Sequence, residues 1–460
     1  MTADLVGLLL LNGCFLVAGA GVTCAAGWWR SPAGLVDSIG LSYLCGVATY
    51  GVVAQLLYVL GASLARWEVI VVCAVPTLGL VRARRRQAAP RARPRSRFDL
   101  LALPLVVVLA LLAVDLWFQP LWAYDSWTFW TPKAHALYAL GLDPGWFTSA
   151  SLVSQDYPIL LPAVEAAGFH FTGYETSLLD VQSWMVFTGF VAAIYQLGVR
   201  RGRPIVLWAV LVMLVLAPTV LDQLAAAEAD IPVAVFFATA GLCAWSWLCD
   251  GRTAGLPLAA ILGAGAAATK VEGTMFVIAL FLALAIASAR DSARRSLLAL
   301  GTGATSLAVG ALPWRIWVHH HHITNQASFG RVTGASFLAE HAGRLPVVCG
   351  YLAFKLLDPR AWILLLPVAA VVGVESYRRG RRTQTWFAVA AFVLGFLGVV
   401  FAYWSTPYSL HYQLETSARR VVTGLAFLAA GLTPLLAGDP DPEEERPPRK
   451  SRRMHTSSVA

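Results

Sequence analysis

The chain has 460 residues, 58% of them hydrophobic and 13% charged, with a formal net charge of +9 and a mean hydropathy of +0.64. Soluble domains are about a quarter charged, so this composition excludes a soluble enzyme, a nucleic-acid module and a domain held by a single anchor. Apolar runs of about twenty residues, each long enough to cross the hydrocarbon core of a bilayer, recur along nearly the whole chain.

Taken in chain order, the apolar runs predict membrane spans at 3–27, 36–62, 67–82, 99–118, 176–199, 204–221, 230–249, 254–270, 273–288, 297–318, 361–376, 385–404 and 420–437. The fold class is therefore an all-α polytopic membrane protein with about thirteen transmembrane helices. The opening MTADLVGLLL lacks the basic stretch of a signal peptide and reads as the first span. The seven cysteines, 14, 24, 45, 73, 243, 249 and 349, form no C-x-x-C pair and read as small core residues.

Eight arginines lie between Arg82 and Arg97, and short basic loops stay in the cytoplasm. The positive charge thus marks sidedness rather than nucleic-acid binding. It predicts a multi-pass protein of the cell membrane with its N-terminus outside and its C-terminus in the cytoplasm. For this parity to hold, Pro158 to Gly173 is not a span; two prolines, Glu165 and His170 make it an interfacial or re-entrant helix. Four parts follow: a three-helix group with its Arg-rich loop (1–98), a central module (99–345), C-terminal spans (346–437), and a Pro-rich charged tail (438–460) expected to be disordered.

Polar residues outside the basic loops concentrate on the predicted outer face. In the first outer loop, Gln119 to Tyr157, Thr131 can N-cap, Pro132 suits the first helical position and Gly141 can terminate, which predicts a short helix over 132–140. The aromatic run Trp122, Tyr124, Trp127, Phe129, Trp130 belongs at the headgroup boundary, placing Asp125 just above the bilayer. A carboxylate there is costly to desolvate and marks a candidate site; a capping or turn Asp is the plainer alternative. Glu228 and Asp230 open the helix near Pro232, where an acidic residue also caps free amides. Lys270 and Glu272 occupy a tight connection between two spans, where an ion pair or a snorkelling Lys is the ordinary role.

The histidine run His319 to His322 cannot converge on one ion along a helix, because successive side chains point about 100° apart. It reads as a polar cap on the preceding span, and His135 and His170 as amphipathic residues. No metal ligands are assigned. A divalent ion would suit the acidic residues, but no spacing indicates one, and the cofactor is left open.

The succession YDSWTFWTPKAHALYALG, QDYPILLPAVEAAGFHFTG, EADIPVAVFF, GAGAAATKVEGTMF and TPYSLHYQLETSARRV, over about residues 99–425, resembles bacterial polytopic glycosyltransferases of the GT-C superfamily. These are similar to the protein O-mannosyltransferase and aminoarabinose transferase class. The resemblance implies a seven-helix module (99–318) with short interfacial helices in the first outer loop, a catalytic Asp at Asp125, and a second acidic site at Glu228 or Asp230. It implies a sugar donor linked to polyprenyl phosphate and transfer to a glycan, lipid or protein acceptor on the outer face. In the aminoarabinose transferases a Lys before the Pro-Leu segment contacts the donor phosphate; Asp156 and Tyr157 stand there in this chain.

In such a reaction the acceptor hydroxyl loses a proton while the leaving phosphate gains charge, so a carboxylate and a cation are needed. Asp125 is the expected base, with Asp230 or Glu228 orienting the acceptor, helping to bind a metal, or stabilising the cationic sugar. Lys133, Lys270, Arg419 and Arg420 are the candidate phosphate ligands, Arg420 first; Trp127, Asp156, Tyr157 and Glu272 complete the expected substrate contacts. Expected partners are the lipid-linked donor and membrane lipids, and no nucleic acid. A lipid-linked donor needs no nucleotide fold, and no G-x-G-x-x-G sits between a strand and a helix. The competing class is a transporter or flippase of lipid-linked sugars, which would place ionisable groups near the bilayer midplane.

Overall fold

The structure is a computed structural model and describes residues 2–83, 100–149, 152–201, 203–323, 335–406 and 408–438. Most of the Arg82 to Arg97 block and the tail after Gly438, which carry the expectations of sidedness and disorder, lie outside the described residues. Among the described residues all regular structure is helical.

The first half contains α1 (Thr2–Ala25), α2 (Ile39–Val59), α3 (Arg66–Ala74), α4 (Leu78–Ala83), α5 (Ala102–Phe118), α6 (Thr131–Leu140), α7 (Leu160–Thr172), α8 (Leu178–Gly198), α9 (Pro204–Val215) and α10 (Pro218–Leu224). The second contains α11 (Asp230–Asp250), α12 (Gly255–Thr269), α13 (Val271–Ala289), α14 (Ala293–Gly310) and α15 (Leu312–His320). It ends with α16 (Arg344–Leu357), α17 (Leu365–Arg378), α18 (Arg382–Trp404), α19 (Leu410–Val421) and α20 (Thr423–Ala437).

Among the described residues, seven helices are long and apolar enough to cross a membrane, or up to nine if each of two bent pairs is one span. The pairs are α9 with α10, bent by 49°, and α14 with α15, bent by 42°. Pro218 and Pro313 open the second member of each pair, and proline removes the amide a continuous helix would need. Helices α5 and α12 are apolar but shorter. The segment expected to span at 67–82 is divided by a 3-10 turn at Val75–Thr77 that contains Pro76, and that at 361–376 becomes the 14-residue α17. Helix α7 has 13 residues, about 20 Å at 1.5 Å per residue, which is shorter than the hydrocarbon layer.

Lipid offers apolar helices no hydrophobic reason to associate, so close backbone packing has to hold them. Helices α1 and α2 show this directly. A Cβ on Gly19 would fall 1.6 Å from the Ser42 carbonyl oxygen, and one on Gly46 would fall 1.8 Å from that of Phe15. The N-terminal helices are also continuous with the remainder, since α2 packs on α8 and α12, and Gln55 donates to the Gly310 carbonyl at 2.7 Å. At the centre stands α11, its apolar window entirely buried between α12, α20 and α8. By contrast α5 is peripheral, with only Leu109 and Leu116 buried. Of the cysteines, 24, 45, 73 and 243 are buried, as expected for small core residues.

Candidate active site

Four separate segments meet at one end of the bundle. In the first, Ser126–Trp130 winds as a π-helix and runs straight into α6, which stops at Gly141 with φ 70°. The predicted helix is present, but Thr131 does not cap it: the chain is already helical, and the Thr131 hydroxyl lacks a partner. π-turns of this kind are rare and gather at functional sites. Here the turn lets the Ser126 hydroxyl donate to the Ala226 carbonyl, fastening the Asp125 loop to the Glu228 segment.

Lys133 holds the same loop from inside. It is fully buried and donates to the carbonyls of Ser154 at 2.7 Å and Tyr157 at 3.1 Å. Burial pulls its pKa down to about 7, with Asp156 opposing the fall. These bonds occupy the ammonium, and Lys133, expected as a phosphate ligand, does not line the cavity described below.

The second segment is the connection from α10 to α11, where Ala227 adopts φ 47° and turns Glu228 inward. The third joins α12 to α13 through Lys270, whose extended backbone (φ −151°, ψ 156°) ends one helix and starts the next. This tight reversal depends on Gly273, where a Cβ would fall 1.9 Å from the Ala266 carbonyl oxygen. The fourth is α19, whose residues Gln413, Thr416, Ser417 and Arg420 fall at helical spacing on one face and line the cavity. Its residues Leu414, Ala418 and Val421 are buried.

Two cations bind these segments together, each between two carboxylates. Arg420 Nη1 lies 2.8 Å from Asp125 Oδ2 and also donates to Glu228 Oε2. Lys270 Nζ lies 2.7 Å from Asp230 Oδ1 and 3.6 Å from Glu272 Oε1. Asp125 makes no side-chain capping bond; its carboxylate, like that of Asp230, pairs with a cation from a distant segment. Burial pushes the Glu228 carboxyl up to about 7; Arg420 pulls it back, and Asp230 and Asp125 add to the rise. Four carboxylates against two cations leave an acidic surplus, suited to a developing positive charge.

The groups border a cavity of about 650 Å³, within the range that encloses a small organic ligand. Asp125, Tyr157, Glu228, Lys270, Glu272 and Arg420 line it; Asp230 stands behind Lys270 with 3% of its side chain exposed. Two expected contacts lie elsewhere. Asp156 is buried, with Arg315 Nη1 3.8 Å from its carboxylate and the Trp314 indole donating to its carbonyl at 2.9 Å. Trp127 is 63% exposed and ties its indole N–H to the Leu121 carbonyl. Neither lines this cavity, and Trp127 keeps the exposed character of a headgroup-belt residue.

The structure adds lining residues that the sequence reading passed over, among them Thr219, Asp222, Gln223 and Tyr403. Arg419 donates to the Thr219 hydroxyl at 2.5 Å and pairs with Asp222 at 3.2 Å. The polar run T-x-x-D-Q inside an apolar segment was the available signal. Among the described residues no group of three His, Cys, Asp or Glu side chains could hold a metal ion. His321 stacks on Trp317, ring centroids 4.2 Å apart. No family model, curated protein or solved structure matches this chain.

Proposed function

We propose that this protein is a membrane glycosyltransferase that moves a sugar from a polyprenyl-phosphate donor to an acceptor hydroxyl. The observation that carries the reading is the junction of Asp125, Arg420 and Glu228 on a cavity wall. Nη1 of the guanidinium holds both carboxylates, and a planar, permanently charged group of this kind on a cavity wall suits a phosphate. The thirteen-span fold and the seven-helix GT-C module belong to this proposal, as do the bacterial membrane location and the cytoplasmic C-terminus. In that orientation the cavity opens on the outer face.

Chemically, the acceptor oxygen forms a bond to the anomeric carbon as the carbon–oxygen bond to phosphate breaks. The leaving phosphate keeps the electron pair, and Arg420 stabilises its charge. The acceptor proton passes to Asp125, which is a quarter exposed and so reaches the cavity. Glu228 and the Asp230–Lys270–Glu272 cluster supply negative potential to the cationic sugar.

The test is transfer from labelled polyprenyl-phosphate sugars by the purified protein in nanodiscs, wild type against Asp125→Asn. Loss of a general base costs about 100-fold or more; an unchanged rate removes Asp125 from the chemistry. A carrier of the same lipid is the second reading, favoured by the broken span α9/α10, whose second half delivers Thr219, Asp222 and Gln223 to the cavity wall. Such a carrier would translocate the labelled lipid in liposomes without transferring sugar.

A further inference from the structure

A second cavity, of about 1000 Å³, lies toward the other end of the same helices. The candidate site takes Tyr403 from the end of α18 and Val421 from the end of α19, whereas this groove takes Thr385 to Phe396 from α18 and Leu428 to Leu436 from α20. Its floor is one face of α20, where Leu428, Leu432 and Leu436 recur at helical spacing and are buried. Its walls are α17 and α18, which both pack on α20. Small residues on the α17 wall leave room between them: a Cβ on Gly373 would meet nothing within 4 Å. Val374 on one wall and Val389 and Val393 on the other are exposed, so the slot is open along its side.

Length and charge say what fills it. Thr385 to Phe396 covers about 16 Å of helix at 1.5 Å per residue, close to half of a hydrocarbon core of about 30 Å. Helix α18 and the run Leu410–Ala437 that contains α20 are both candidate spans, so the slot between them is about one leaflet deep, the reach of an acyl chain. A lipid whose phosphate sat in the candidate site would hang from the opposite end. The groove closes on Tyr377, Arg378 and Trp386, and the two aromatic residues, 43% and 48% exposed, have the character of a headgroup boundary. Around that mouth Arg378, Arg382 and Arg290 are exposed. Arg382 lies over the Tyr377 ring, 5.7 Å from its centroid, and Arg290 over that of Trp386 at 5.9 Å. Glu375, one turn before Arg378, is held by Arg379 and Arg203. Exposed cations at an apolar slot suit a lipid with an anionic headgroup, and a guanidinium suits its phosphate. A second copy in the same orientation would bring its own arginines to the same level, like charge against like.

We propose that this groove binds an anionic glycerophospholipid, its acyl chains lying on α20 between α17 and α18 and its phosphate at Arg378 and Arg382. The site requires that α18 and α20 cross a bilayer, and it is independent of sugar transfer.

The test is native mass spectrometry of the purified full-length protein in detergent, titrated with phosphatidylglycerol and with phosphatidylcholine of the same chains. Tighter binding of phosphatidylglycerol is expected. Arg378→Gln should weaken it about fivefold and Arg378→Gln/Arg382→Gln about twentyfold, the contribution of one and two cations beside an anionic headgroup, with phosphatidylcholine unaffected. Gly373→Leu puts a side chain into the open slot; displacing about two CH₂ groups of the acyl chain costs about tenfold for either lipid. Leu also favours the helix over Gly, so the lipid-free melting temperature should not fall. Equal affinity for the two lipids overturns the proposal, as does phosphatidylglycerol binding indifferent to the double Arg variant or to Gly373→Leu. A lipid-free dimer that Gly373→Leu dissociates overturns it in favour of a second copy. Polyprenyl phosphate binding that these variants abolish overturns it in favour of the donor.

Discussion

Replacing Arg420 by Met removes one cation from between two carboxylates and leaves a side chain of similar reach. In the native protein Arg420 Nη1 serves both Asp125 and Glu228; Glu228 is almost fully buried, while Asp125 keeps about a quarter of its surface in solvent. Breaking a buried ion pair from one side costs about 3–5 kcal/mol, and the exposed half of this arrangement contributes less, so about 3 kcal/mol is expected at pH 8. The cost carries a pH signature. Glu228 already has a raised pKa, about 7, with Arg420 pulling it down; without Arg420 it rises further. Below that value the carboxyl is neutral and the uncompensated charge disappears, so the deficit of Arg420→Met is largest at pH 8 and shrinks toward pH 5. Thermal unfolding of both proteins in the same detergent across pH 5–8 measures it. Adding Glu228→Gln to Arg420→Met should recover stability at pH 8. Equal melting temperatures at all pH values would falsify the bridging role assigned to Arg420.

Lys133→Met removes the donor that satisfies the Ser154 and Tyr157 carbonyls, and hydrogen exchange at residues 152–157 is expected to speed up. Because the folded Lys133 pKa is lowered to about 7, the unfolded chain binds more protons between pH 7 and the ordinary lysine value. Wild type should therefore gain stability relative to Lys133→Met as pH rises through that window. Gly273→Ala places a methyl against the Ala266 carbonyl; the α12–α13 reversal must open, and a drop of several degrees in melting temperature is expected, with Glu272→Ala at the neighbouring cavity wall costing less.

Helices were legible because long apolar runs declare themselves, and the helix over 132–140 was legible because Pro132 and Gly141 mark its ends. Span lengths were harder: Pro76, Pro218 and Pro313 interrupt runs whose hydropathy stays high, so composition sees one segment where the backbone makes two. For the site, residue type and clustering pointed to Asp125, Glu228, Lys270 and Arg420. Which cation meets which carboxylate was not legible, since Arg420 and Glu228 lie 192 positions apart. Lys133 shows the converse. Its loop and charge matched a phosphate ligand, and only three-dimensional packing reveals that backbone carbonyls consume it. Asp156 read as a substrate contact from its place in the sequence, and the packing of Arg315 and Trp314 around it was not legible there.

Helix α5 leads directly into the loop that carries Asp125, yet it lies on the periphery with two buried side chains. Its 17 residues extend about 26 Å, a little less than an average hydrocarbon layer of about 30 Å. If α5 spans the bilayer as the proposed topology has it, a short helix exposed to lipid is mismatched, and such mismatch is relieved by thinning of the surroundings or a shift along the membrane normal. On that topology the acyl-chain length of the host membrane would be a mechanical input to the position of Asp125, one that nanodiscs of different thickness would tune.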